Sequence, residues 1–149
     1  MAFIRNMPEG VGIRWIFDLS FAVGPNCRNH RADVQLIQQA INRLLAPLKI
    51  TRDDGSQIMD YLKRDGLYGP RTAEALRGFQ RAMKQDGRFI KADGRADPSS
   101  SSGWTGDGQA QYTIVYLNRS QVDVYGKMMD EADFPEPLKS DVKTNRQVG

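Results

Sequence analysis

The chain has 149 residues, 40% of them hydrophobic and 26% charged, with 21 Lys and Arg against 18 Asp and Glu and a formal net charge of +3. That length is about one domain's worth of chain and buries a core without disulfides or metal, and the single cysteine, Cys27, excludes an internal disulfide and a multi-cysteine zinc site. No run approaches the ~18 unbroken apolar residues of a membrane-spanning helix, and the Lys and Arg residues are scattered rather than gathered into the stripe typical of nucleic-acid binding.

The first patterned segment runs from Val11 to Val23. Val11, Ile13, Trp15, Phe17, Leu19, Phe21 and Val23 alternate with Gly12, Arg14, Asp18 and Ser20, the period of a strand with one buried face. Its backbone needs hydrogen-bonding partners, so it either lies on the chain's own core or forms an arm that pairs with another subunit's sheet edge. The opening residues carry no standard cleaved leader, because Arg5, Pro8, Glu9, Arg14 and Asp18 interrupt any apolar block.

Gly24-Pro25-Asn26 breaks the strand, and a helix is predicted from near Ala32, capped around Asn29 or Ala32. Val34, Leu36, Ile37, Ala40, Ile41, Leu44 and Leu45 supply its apolar stripe and Pro47 stops it. Ile58, Met59, Tyr61 and Leu62 suggest a short second helix ending at Asp65-Gly66. Pro70, placed where a first helical residue needs no N–H, opens a further helix with Ala73, Leu76, Phe79, Gln80 and Met83 inward, fraying at Asp86-Gly87. Asp97 to Gly108 is Gly/Ser-rich loop. Tyr112 to Asn118 has the β-branched content of a strand, with a helix as the alternative. The stretch after Phe134-Pro135-Glu136-Pro137 reads as an irregular tail with at most a helical turn around Leu138. Asp65-Gly66-Leu67-Tyr68-Gly69-Pro70 recurs in outline as Asp93-Gly94-Arg95-Ala96-Asp97-Pro98, which suggests two equivalent turns ahead of ordered segments.

Val34-Gln35-Leu36-Ile37-Gln38, followed by Asp65-Gly66-Leu67-Tyr68-Gly69-Pro70-Arg71-Thr72-Ala73-Glu74-Ala75-Leu76-Arg77-Gly78-Phe79-Gln80, resembles the peptidoglycan-binding domain appended to many bacterial wall hydrolases. The resemblance implies a mainly α fold, a three-helix peptidoglycan-binding-like bundle over 29–126, with an N-terminal β arm over 1–28 and an irregular tail over 127–149. It implies that Thr113 to Asn118 is the third helix, and that the Asp97–Gly108 stretch is an insertion against the family pattern. Non-catalytic attachment to peptidoglycan, as an anchoring or targeting module without metal or cofactor, is the function it implies. A weak positive field suits such an anionic polymer. With no leader visible, the expectation is cytoplasmic synthesis and non-classical delivery to the periplasm or wall.

Aromatic faces and planar polar groups hold glycans and stem peptides, so the candidate ligand-binding residues are Tyr68, Arg71, Trp104, Tyr112 and Tyr116, with ordinary packing as the competing role of each aromatic. The competing function keeps the fold as a structural or adaptor subunit of a contractile injection system, phage tail or secretion apparatus, with protein partners docking on the Val11–Val23 strand and the C-terminal tail. Catalysis finds little to work with. His30 is the only histidine and lies in a polar connector beside Cys27, Cys27/His30/Asp33 is a poor zinc set, and the acid pairs Asp53/Asp54 and Asp130/Glu131 read as solvated loop residues.

Overall fold

The alternation near the start of the chain folds into a hairpin. In the computed structural model, which describes residues 2–106, 108 and 110–145, β1 (Phe3–Asn6) pairs antiparallel with β2 (Trp15–Asp18), Phe3 opposite Asp18 and Asn6 opposite Trp15. The expected long strand is thus regular over Trp15–Asp18 alone, although Val11, Phe17, Leu19 and Val23 are buried as the alternation requires. Its polar face is buried too: Ile16 and Asp18 are both fully covered. Asp18 is tolerated there because Arg5 donates to it at 2.6 Å and the backbone N–H groups of Leu19 and Ser99 donate at 2.8 and 3.0 Å.

Each edge of the hairpin bonds another segment of the chain at one residue. The Ile4 N–H donates to the Asn145 carbonyl at 3.2 Å, while the Asn118 side chain accepts from the Phe17 N–H and donates to the Phe17 carbonyl, each at 2.9 Å. Each such bond takes up part of a strand edge that a partner's strand would otherwise use. The hairpin packs on the chain's own core through Ile4, Ile16 and Phe17.

Burial raises the Asp18 carboxyl above the ordinary carboxylate value, partly opposed by the Ser99 N–H, Arg5 and the Leu19 N–H. The folded state therefore holds this proton to higher pH than the unfolded chain does, and the contribution is complete below the unfolded pKa and lost as pH rises through the folded one. We expect the stability of an Asp18→Asn variant to fall less than that of the parent as pH rises from about 4, measured by urea unfolding across a pH series. A parallel pH dependence in the two proteins would refute this.

α1 (Arg31–Leu44) runs through the middle of the molecule, and Val34, Leu36, Ile37, Ala40, Ile41 and Leu44 are all fully buried. Gln35, Gln38 and Gln39 are buried on it as well. Their amides, which need partners once out of water, become ties to neighbouring segments. Asn29 does not cap the helix; its side chain instead closes the preceding loop by accepting from the Gly24 N–H at 2.8 Å and donating to the Gly24 carbonyl at 3.0 Å. His30 is the N-cap residue and makes no side-chain capping bond.

The short helix expected around Ile58–Leu62 does not form. Residues 57–64 run as an irregular strap over α1, with Ile58 and Leu62 buried and Met59 and Tyr61 outside. The i, i+4 spacing of Ile58 and Leu62 imitates a helix, but the strap's backbone has other partners. The Ile58 N–H donates to the Ile50 carbonyl, and Asn42 of α1 binds both the N–H and the carbonyl of Leu62 at 2.7 and 2.9 Å.

α2 (Pro70–Gln85) starts with Pro70 at its first position after Gly69 and ends at Asp86. α3 (Thr113–Tyr125) is helical despite its β-branched start, as the resemblance implied, and closes on Gly126 in the left-handed region. The expected irregular tail carries regular structure in its described residues, 127–145. A 3₁₀ turn (Glu131–Asp133) leads to α4 (Leu138–Thr144), whose Leu138 and Val142 are fully buried one turn apart. Gln35 holds its start, donating to the Glu136 carbonyl at 2.9 Å and accepting from the Leu138 N–H at 3.1 Å.

The described residues thus form a mainly α structure of four helices with a small N-terminal hairpin. Ala2, Ile4, Phe17, Ile37, Phe79, Leu117, Phe134 and Val142 belong to one hydrophobic core, so the segments 1–28, 29–126 and 127–149 all contribute to it. Among the described residues, no helix is long and apolar enough to cross a membrane.

Candidate functional site

The turn signature is built twice, each time around one buried glutamine. Gln38 of α1 donates through Nε2 to Asp65 Oδ1, the Leu67 carbonyl and Thr72 Oγ1 at 3.2, 3.2 and 3.1 Å, and its Oε1 accepts from the Gly66 N–H at 3.0 Å. Gln80 of α2 repeats the set: Nε2 faces Asp93 Oδ1, the Arg95 carbonyl and Thr113 Oγ1 at 3.5, 3.0 and 3.1 Å, and Oε1 accepts from the Gly94 N–H at 2.8 Å. Within each turn the Asp also accepts the N–H two residues on, Leu67 in the first and Arg95 in the second. In both, a helix fastens the Asp-Gly turn that follows it and the threonine at the start of the next helix. For Asp65 this bonding, led by the Leu67 N–H, lowers the carboxyl below its ordinary value.

The insertion lengthens the second copy between Gly94 and Thr113, and it packs on the hairpin. Gln111 donates to the Val11 carbonyl at 2.9 Å and accepts from Arg119 at 2.6 Å. A side chain at Gly103 would meet Met7 and Val11 at 2.8 and 3.0 Å. The insertion and the arm are thus two halves of one contact.

An open groove lies beside each turn. The first measures about 570 Å³, within the size range of small-ligand clefts, and is lined by Lys63, Asp65, Leu67, Pro70, Arg71 and Thr72 among others. Leu67 is 68% exposed there, an unusual position for a large apolar side chain beside two cations. Among the described residues neither Lys63 nor Arg71 is in a recorded ion pair. The second groove, about 280 Å³, takes in Asp93, Arg95, Asp97, Tyr112 and Thr113, and there Arg95 is neutralised by Asp97 at 2.7 Å. Arg71 and Tyr112 hold corresponding places, each just ahead of the clamped threonine.

The five candidate residues therefore do not line a common groove. Arg71 is exposed in the first and Tyr112 is half-buried in the second. Tyr116 is 5% exposed, donates its hydroxyl to the Phe89 carbonyl at 3.1 Å and borders a third groove with Arg88 and Arg119. Tyr68 packs half-buried against the core, and its hydroxyl is buried without a hydrogen-bond partner in the structure. That burial raises its pKa. Trp104 sits half-buried in the inserted loop, bridged to Gln111. Residue type suggested all five, and burial divides them. Gln38 and Gln80 were visible in the sequence only as motif positions; the available signal was an amide on a helix face otherwise filled by Leu, Ile and Phe.

The residues weighed for chemistry have other occupations. Asp33 accepts from the Ser20 and Phe21 N–H groups, each at 3.1 Å, and Cys27 Sγ lies 3.4 Å from the Pro25 carbonyl. Asp53 is clasped by Arg77 and Arg81 at 2.6 and 3.0 Å, which holds its carboxyl down at about 2. Asp130 caps the 3₁₀ turn by accepting from the Ala132 N–H. Among the described residues, no three His, Cys, Asp or Glu side chains come together as a metal site. Comparison of the chain with protein-family models, with curated proteins and with solved structures finds no match.

Proposed function

We propose that the chain is a non-catalytic peptidoglycan-binding module whose α1, α2 and α3 form a three-helix peptidoglycan-binding-like bundle, and that the first turn groove is its contact with the wall polymer. The observation that carries this reading is the Gln38 clamp. It fixes Asp65, Gly66 and Thr72, the signature residues of the resemblance, so that Arg71, Lys63 and the exposed Leu67 face one open groove at the start of α2. A helix N-terminus favours anions, an arginine fork binds carboxylates in two parallel bonds, and Leu67 offers an apolar face to sugar C–H groups or stem-peptide methyls. The second groove has its arginine already paired with Asp97 and is the weaker candidate. The adaptor reading drew on the Val11–Val23 strand and the C-terminal tail; within the chain, Ile4 already bonds Asn145, Phe17 bonds Asn118, and Leu138 and Val142 of the tail are buried.

Retention on purified insoluble peptidoglycan tests the proposal. The parent protein is expected to sediment with the polymer, and Arg71→Ala to lose roughly tenfold or more in affinity, the effect of removing a charge-assisted bond worth ~1.5–3 kcal/mol. No retention of the parent above a control protein sinks the reading.

A further inference from the structure

We propose that a different groove, between the C-terminal half of α1, the 57–64 strap and the last turn of α3, docks an acidic peptide segment of a partner protein. The groove measures about 560 Å³. Its apolar floor includes Leu45, Ile58 and Leu62, and its rim carries Met59 and Tyr61, each 76% exposed. Two such side chains held in water side by side are a docking feature rather than a core feature.

The charge in this groove comes from two arginines, Arg43 and Arg64, with no carboxylate residue among its lining. Both guanidinium groups are held in place by neutral acceptors. Arg43 donates through Nε to Gln121 Oε1 at 3.0 Å and lies 4.3 Å over the ring of Tyr125, whose hydroxyl in turn donates to the Arg43 carbonyl. Arg64 donates to Gln39 Oε1 and to the Asp133 carbonyl, both at 2.8 Å. Asp133 reaches it through backbone, and Asp60 lines a small adjoining pocket with Arg52, Arg71 and Glu74 that shares Ile58, Tyr61 and Leu62 with this groove. Each guanidinium keeps further N–H donors beyond those bonds. Two fixed cations flanking an apolar floor complement a segment in which Asp or Glu residues bracket a Leu, Phe or Trp. A nucleic acid would call for a longer cationic stripe, and the two arginines here are isolated. The inference stands apart from the wall-binding reading, which uses Arg71 and Leu67.

Random-sequence peptides displayed on phage and selected on the full chain test it. Enriched peptides are expected to combine Asp or Glu with a large apolar residue, and a synthetic copy of one is expected to bind less tightly as salt rises. Its affinity should fall roughly tenfold or more in Arg64→Ala, as for loss of a charge-assisted pair. Arg64 also ties the strap to the 3₁₀ turn, so the exposed pair Met59→Ser, Tyr61→Ser serves as the second variant and should lose affinity with an unchanged unfolding midpoint. No enrichment, enrichment without acidic residues, or full affinity in the Met59/Tyr61 variant would each overturn the proposal. So would displacement of the peptide by soluble muropeptides or loss of its binding in Arg71→Ala, because either would make the groove part of the wall contact.

Discussion

Gln38→Leu is expected to cost about 2–4 kcal/mol of stability, and Gln80→Leu a similar amount. Leucine fits the volume and gains about 1.5–3 kcal/mol if fully buried, but this does not offset what the amide leaves behind. The Gly66 or Gly94 N–H loses its acceptor and three acceptors lose their donor, and each buried orphan costs about 1–3 kcal/mol. The two clamps are separate sets of partners, so the losses should add. The double variant then gives up a large part of the ~5–15 kcal/mol that holds a domain folded. Urea unfolding of the two single variants and the double measures this. A cost below about 1 kcal/mol in either single variant would mean that water replaces the amide. The clamps should separate functionally: where both single variants remain folded, Gln38→Leu loses retention on peptidoglycan and Gln80→Leu keeps it, because only the first turn shapes the Arg71 groove.

The paired turns give a second matched comparison, Gly66→Ala against Gly94→Ala. Their backbones are alike, with φ of +75° and +77°, so a side chain brings left-handed strain of roughly 1–2 kcal/mol in each. Their surroundings differ. A Cβ at Gly66 would lie 2.3 Å from Arg31 Cγ and 2.7 Å from the Arg31 carbonyl oxygen, whereas at Gly94 the nearest atom is Arg77 Cγ at 3.7 Å. The Arg31 side chain can swing aside; its carbonyl, fixed in the first turn of α1, cannot. Overpacking adds about 1–3 kcal/mol, so Gly66→Ala should cost about 2–5 kcal/mol and Gly94→Ala only the strain. Equal losses in chemical denaturation would refute the difference in clearance.

The legible parts of this fold are those settled by local chemistry. Apolar spacing marked α1 and α2, and Pro70 and Gly87 bracket α2 close to its observed ends. The echo of Asp65-Gly66 in Asp93-Gly94 corresponds to two turns with the same hydrogen bonds. The failures lie where distant segments decide. β1 is four residues long and exists only because β2 lies beside it. The strap imitates a helix in its apolar spacing, but Asn42 takes its backbone groups. The prolines at 135 and 137 suggested an irregular tail and obscured the one-turn spacing of Leu138 and Val142, which α4 buries. Site residues were harder still, since a groove is a property of several segments at once. Leu67 stood in the motif without an assigned role and is exposed, while Tyr116 was a candidate binding aromatic and is buried.

The bonds of Gln35 to residues 136 and 138, and of Ile4 to Asn145, fasten earlier-made parts of the chain to later-made ones. During synthesis, α1 leaves the ribosome well before the residues that cover part of its surface. Until Phe134, Leu138 and Val142 emerge from the exit tunnel, that surface is bare, and the nascent chain is a natural client for a holdase chaperone. A stop codon shortly after α3 would leave this condition permanent, so such a truncation should behave as a folding lesion, prone to proteolysis, rather than as a trimmed but working module.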